Sequence, residues 1–405
     1  MHLRHLSLTN FRNYARLELE LPLGLTLVQG HNAQGKSNLL EAIVYLATSK
    51  SLRANAEAEL VRWEVREEPL PFTRLAAELQ HGQQTERLDI TLLPGKNSHR
   101  FRKQVRINGV NKRAMDLVGL MRTVIFRPED VDLVSGSPSQ RRRYLDIALC
   151  QMQPDYCRAL SQYQKILSQR NALLRNLAER GSRNPGEQLR YWDEKLVAAG
   201  SLVIARRQWL ITELEKDAAL LHLDLSGGIE RLQLRYLPSF DPGQEQASSV
   251  PYRRPPLLRE LGVAYADLSP QQARASFMAH LHASRTRDLG AGTTLLGPHR
   301  DDLGFYLGER NLRAYGSRGQ QRTAALASKL AEVAIMTRVS HEAPILLLDD
   351  VMSELDKTRR AMLLEVIPTV KQAIVTTTDW HHFSSELLAT AHRLQVQQGQ
   401  LQQML

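Results

Sequence analysis

Short apolar runs with polar residues at alternate positions dominate the first hundred residues. Leu3 to Leu8, Leu17 to Leu21, Leu25 to Gln29, Arg74 to Leu79 and Leu88 to Leu93 read as strands, several with period two. Ser37 to Thr48 interrupts them with Leu39, Leu40, Ile43, Val44 and Leu46 at helical spacing. From Gln151 to about Leu225 the period lengthens: Tyr156, Leu160, Tyr163, Leu167, Leu174 and Leu177 recur at three, four or seven, and after a break at Gly181 to Gly186 so do Trp192, Leu196, Ala199, Val203 and Ile204. Two helices of about 25 and 35 residues, spanning roughly 40 and 50 Å, predict an antiparallel arm. Pro238 to Pro256 reads as a loop and Ser269 to Ser284 as a helix with Pro270 near its start. The last third alternates again: helix Gln320 to Arg338, strand Ile345 to Leu348, helix Thr358 to Val366, strand Ala373 to Thr377, and a ragged Gln-rich tail from Gln395 to Leu405.

This order predicts an α/β protein with a mainly helical insertion, and 405 residues at 42% apolar content suffice for more than one domain. Lys and Arg number 53 against 43 acidic residues, a net +10 that favours a polyanionic partner such as nucleic acid. No run approaches the length of a membrane span, and His2, Arg4 and His5 do not open a secretory signal, so a cytoplasmic protein without a membrane partner is expected. Cys150 and Cys157 support neither a disulfide framework nor a zinc site. The pairs His280 with His282 and His381 with His382 lack helical ligand spacing and read as structural or solvated. Arg100 to Arg113 holds six Lys or Arg around Asn108-Gly109, the pattern of a basic hairpin. Such a hairpin is equally compatible with a solvated surface and with phosphate contacts.

Gly30-His31-Asn32-Ala33-Gln34-Gly35-Lys36-Ser37 fits the phosphate-loop pattern, with a strand before it and a helix after it. Its backbone amides, with Gly30, Asn32, Gly35 and Asn38 placed around them, would wrap phosphates. Lys36 would reach the β- and γ-phosphates, and Ser37 would ligate Mg2+. Pro344 to Asp350 reads as a buried parallel strand ending in two carboxylates: Asp349 for the metal, Asp350 to polarise an attacking water. ATP and Mg2+ are the expected cofactors. Ser317, Gly319 and Gln320 stand at the start of a long helix, where they make either an anion site or an ordinary cap.

Together these motifs resemble ABC-type ATPases: a phosphate-loop head with a mixed sheet flanked by helices, split by an inserted helical arm. The resemblance implies a head-to-tail homodimer in which Ser317 completes the partner's ATP site. The Ser353 to Asp356 segment falls at the family's D-loop. Thr378 or Asp379 stands where the switch residue lies, and Glu129 or Gln140 is the nearest substitute for a Q-loop glutamine. Three longer segments narrow the family. Leu8 to Tyr14, Pro128 to Asp146 and Leu296 to Leu303, with Asp349 to Asp356, resemble the RecF family of bacterial recombinational repair proteins. That resemblance implies an ATP-driven dimer on single-stranded and duplex DNA at gap junctions, aided by RecR and RecO, acting indirectly on RecA. It also implies weak, DNA-stimulated ATP hydrolysis. The head would comprise residues 1–130 and 291–405, and the arm residues 131–290. Candidate DNA contacts are Arg100, Arg102, Lys103, Lys112 and Arg113, with Arg141 and Arg142 able either to touch DNA or to brace the fold. Arg12 and Asn13 are candidate nucleotide sensors.

Overall fold

A computed structural model of the chain describes residues 1–54, 56–95, 101–180, 184–243 and 268–404. Arg100, most of the loop expected at Pro238 to Pro256 and part of the Gly181 to Gly186 break lie outside the described residues. Two compact units divide the chain: residues 1–130 with 332–405, and residues 131–331. The segment 291–331, expected with the head, groups with the second unit.

In the first unit, β1 (His2–Phe11), β2 (Tyr14–Glu20), β4 (Thr73–His81), β5 (Gln84–Pro94), β6 (Phe101–Ile107) and β7 (Val110–Lys112) form an antiparallel sheet in the order β2-β1-β4-β5-β6-β7. Period-two burial drives it: Leu6, Leu8, Leu75, Leu79, Leu88, Ile90 and Leu92 all face one core. A second sheet has the order β15-β14-β3-β13-β12-β8, built from β3 (Gly24–Gln29), β8 (Thr123–Phe126), β12 (Ile345–Asp349), β13 (Gln372–Thr377), β14 (His392–Gln397) and β15 (Gln400–Gln403). Its central strands run parallel, and β12 is buried at every position, as a strand covered on both faces must be. Helix α1 (Lys36–Thr48) is buried on nearly every side and shares one apolar cluster with residues of both sheets, so it forms the middle layer.

The C-terminal tail is not ragged. β14 pairs with β3 in parallel, and β15 folds back on β14 through Gln398 and Gly399, whose φ angles of 49° and 73° make a tight hairpin turn. Only Leu394 and Val396 supply buried apolar positions, so the Gln-rich composition concealed the strand period.

The second unit contains α2 (Pro138–Met152), α3 (Pro154–Arg180), α4 (Pro185–Leu225), α5 (Pro270–Ala291) and the start of α6 (Arg318–Ser340). A three-stranded sheet completes it, formed by β9 (Leu232–Leu237), β10 (Asp302–Leu307) and β11 (Arg310–Asn311). The helices α3 and α4 run 27 and 41 residues, longer than the periodicity alone indicated. They approach closely at Gly200, where an added Cβ would lie 2.7 Å from the Phe277 ring and 2.9 Å from that of Tyr163. The fully buried Arg170 binds Asp193 at 2.7 Å and Asp288 at 2.9 Å, tying three helices by charge. Removing one partner from such a buried cluster would leave an uncompensated charge.

Candidate nucleotide site

The β3 strand runs directly into Gly30, and α1 begins at Lys36. Gly35 has φ 119°, open to glycine alone, and a Cβ there would lie 2.6 Å from Asn13 Nδ2. The glycine is therefore needed both for the turn and for close packing. Distant segments brace the loop. Tyr14 Oη donates to the Gly35 carbonyl at 2.9 Å, Asn13 Nδ2 to the Gln34 carbonyl at 2.9 Å, and Asn38 Nδ2 to Asn13 Oδ1 at 2.8 Å. From the C-terminal hairpin, the Gln398 and Gly399 amides donate to Gln34 Oε1 and its carbonyl at 2.7 and 3.1 Å. Arg12 grips Glu41 on α1 through two bonds of 2.8 and 2.9 Å, and the Glu59 carbonyl at 2.8 Å. Asn13 and Asn38 thus hold the loop, and Arg12 holds the helix behind it.

Lys36 Nζ donates to the carbonyls of Gly30 and His31 at 2.6 and 3.2 Å. Burial lowers its pKa, while the charges of Asp350 and Asp349 oppose that shift. Ser37 Oγ donates to Asp349 Oδ1 at 2.8 Å, and Thr376 Oγ1 donates to the same oxygen at 3.1 Å. Arg53, unnoticed in the sequence, binds Asp349 Oδ2 at 3.1 Å. Asp350 has φ 52°, and its Oδ1 is buried with no hydrogen-bond partner. Desolvation raises the Asp350 pKa; Lys36 opposes this, Asp349 reinforces it, and His382 opposes it. The switch positions expected at Thr378 and Asp379 are occupied structurally: Gln29 donates to the Thr378 carbonyl at 3.2 Å, and Asp379 accepts the His381 amide at 3.0 Å. His382, a residue first read as structural or solvated, is the histidine whose charge reaches Asp350.

A hydroxyl and a carboxylate oxygen that touch, with an unpartnered carboxylate oxygen on the adjacent residue, are the hard oxygen donors that suit Mg2+ held mainly by phosphates and water. Among the described residues no group of three or more His, Cys, Asp or Glu could hold a metal by itself. Ser37 and Asp349 fit Mg2+ only together with a nucleotide.

The RecF/RecN/SMC N-terminal domain model matches residues 2–402. The DNA replication and repair protein RecF of Chloroflexus aurantiacus is 44% identical over 99% of both chains, and that of Bacillus cereus 36% over 98% of both. The chain belongs to the RecF family of DNA replication and repair proteins. A solved structure of the recombination mediator protein RecF with ATP superposes with a TM-score of 0.82, at 30% identity over 100% of this chain and 98% of that one. An Smc head shares the fold at 14% identity and a TM-score of 0.50. This places the phosphate loop and acidic strand in an ABC-type ATPase family, and the RecF fold accounts for the inserted helical unit.

In this RecF-family chain, Ser317 and Gln320 cap α6 reciprocally. Ser317 N donates to Gln320 Oε1 at 2.9 Å, Gln320 N to Ser317 Oγ at 3.2 Å, and Gln320 Nε2 to Glu230 at 2.6 Å. Ser317 and Gly319 are exposed. At the start of α2, Gln140 Oε1 accepts the Ser137 amide at 2.7 Å and its hydroxyl at 3.0 Å, which leaves the Gln140 side chain committed.

The basic candidates separate. Arg102, Lys112 and Arg113 are exposed, with Arg113 paired to Asp116 at 2.8 Å. Arg106, also exposed, lies on the same face of β6 as Arg102 and was absent from the candidates. Lys103 faces the opposite way, because strand alternation sets it on the side of buried Val105. It binds the Ser49 carbonyl and Glu57, both at 2.6 Å, over the Tyr45 ring, and its expectation as a DNA contact is corrected. Arg141 follows the bracing alternative: it is 2% exposed and bidentate to Asp302. Arg142 is half-buried and donates to the Asp301 carbonyl at 2.7 Å, so bracing accounts for both.

Proposed function

We propose that the protein binds ATP with Mg2+ and uses it to pair two copies on DNA at single-strand gaps, where with RecR and RecO it promotes RecA loading. Slow hydrolysis then resets the pair. The observation that carries the chemistry is Asp350, a carboxylate with raised pKa and a buried, unpartnered oxygen beside Lys36 and Asp349. A carboxylate kept poised in this way suits a residue that accepts a proton from an attacking water.

Each residue then has a separate task. The amides from Gly30 to Ser37 and the Lys36 ammonium hold the phosphates; Ser37 and Asp349 hold Mg2+, which supplies charge neutralisation at the transferring group. Ser317 and the start of α6 act on the nucleotide of the partner copy. Arg102, Arg106, Lys112 and Arg113 meet DNA phosphates, giving binding that is steeply dependent on salt and weakly dependent on sequence.

Asp350→Asn tests hydrolysis. It should retain ATP binding and ATP-driven dimerisation while phosphate release falls about a hundredfold or more. Wild-type protein that releases no phosphate even with DNA would make ATP a gate for a non-hydrolysing DNA scaffold. Filter binding to gapped, duplex and single-stranded DNA, with and without ATP, tests the gap preference, and equal binding to all three refutes it.

A further inference from the structure

Arg53 belongs to none of the phosphate-binding motifs, yet its guanidinium lies 3.1 Å from Asp349 Oδ2. The Asp349 side chain is 4% exposed, and a carboxylate so buried needs a counter-charge. Its other oxygen is already taken by Ser37 Oγ and Thr376 Oγ1. Arg53 is also aimed rather than merely nearby. Ser51 Oγ accepts the amides of Arg53 and Ala54 at 3.0 and 2.7 Å and donates to Glu41 Oε1 at 2.5 Å. Glu41 in turn is held by Arg12. The turn carrying Arg53 is thereby anchored on α1, the helix that opens with Lys36 and Ser37.

We propose that Arg53 is a tethered counter-cation for Asp349, holding the carboxylate in place until Mg2+ arrives with the nucleotide, so that metal binding is an exchange in which the guanidinium leaves Asp349. Mg2+ sits about 2.0–2.1 Å from its oxygen ligands, and a second cation hydrogen-bonded to the same buried carboxylate is repelled by it. The Ser37 to Asp349 hydrogen bond is compatible with that exchange, because the serine hydroxyl would offer Mg2+ a lone pair and keep its proton for the carboxylate. Arg53 is 37% exposed and has water to swing into. The exchange releases only the Arg53 side chain, and the 51–54 turn stays held by Ser51 beside Ser49, which receives Lys103 from β6 at 2.6 Å. The opposite face of that strand carries Arg102 and Arg106. Arg53 is a positioning residue in this scheme, and the inference rests on the nucleotide reading above.

The test is ATP binding by calorimetry across a MgCl2 titration, for wild type, Arg53→Ala, Arg53→Lys and Ser51→Ala. Arg53→Ala should need about tenfold less Mg2+ for half-maximal ATP binding, since no guanidinium has to be displaced. Arg53→Lys should stay near wild type, and Ser51→Ala should shift in the direction of Arg53→Ala by a smaller factor. In EDTA, Arg53→Ala should melt below wild type, and saturating Mg2+ with ATP should abolish that deficit. A Mg2+ requirement for Arg53→Ala equal to or above wild type overturns the exchange. Wild-type protein that fails to bind ATP with Mg2+ overturns the nucleotide reading itself, so the two failures are distinct.

Discussion

Replacing Arg141 with Ala separates a brace from a DNA contact. Arg141 Nε and Nη2 bind the two oxygens of Asp302 at 2.7 and 2.9 Å, and Nη1 reaches the carbonyls of Gly136 and Val134 at 2.8 and 3.4 Å. Truncation leaves Asp302, itself only 16% exposed, without its counter-charge, and two carbonyls lose a donor. Breaking a buried pair from one side costs about 3–5 kcal/mol, a large share of the roughly 5–15 kcal/mol that keeps a protein folded. With a urea slope of about 2–3 kcal/mol/M, the unfolding midpoint of the second unit should fall by about 1–2.5 M. Filter binding of the folded variant at several salt concentrations should give the wild-type salt slope. Exposed Arg102→Ala should do the reverse, lowering the slope by about one while leaving the midpoint within about 0.5 kcal/mol. An Arg141→Ala protein of normal stability with a reduced salt slope would refute the brace.

Three further outcomes follow from other sites. His299 is half-buried, bonded by Tyr163 at Nδ1 and to the Thr294 carbonyl at Nε2, and its pKa is pushed down to about 4 from 6.5, mainly by desolvation. A depressed pKa means that its stabilisation is full above about 6.5 and is lost as pH falls toward about 4, a span worth about 3 kcal/mol. Urea midpoints measured across that window should converge for wild type and His299→Gln on the acid side, and parallel curves would refute the assignment. Gly399→Ala would place a Cβ 2.5 Å from the Asn13 carbonyl at φ 73°, so ATP affinity should fall about tenfold although residue 399 is remote in sequence from the loop. Unchanged affinity by calorimetry would show that the hairpin does not brace the loop. Ser317→Arg should leave ATP binding to monomers nearly intact and abolish ATP-driven dimerisation in sedimentation; a normal dimer would remove Ser317 from the partner's site.

The local half of the nucleotide site was legible in the sequence because covalent neighbours set it. Eight consecutive residues from Gly30 to Ser37 dictate a loop between a strand and a helix, and Ile345 to Leu348 could only be a strand buried on both faces. Strand alternation also held the information that Lys103 points away from Arg102, although a count of basic residues obscured it. Tertiary packing alone decided the rest. Arg53 meets Asp349 across 296 positions, and the Gln-rich tail becomes the hairpin that holds Gln34. Arg141 looks like a DNA-binding arginine until Asp302 closes over it. Backbone geometry is written in adjacent residues, whereas the partner of a charge, and hence whether it faces water, phosphate or a buried carboxylate, depends on which distant segments the fold brings within a few ångströms.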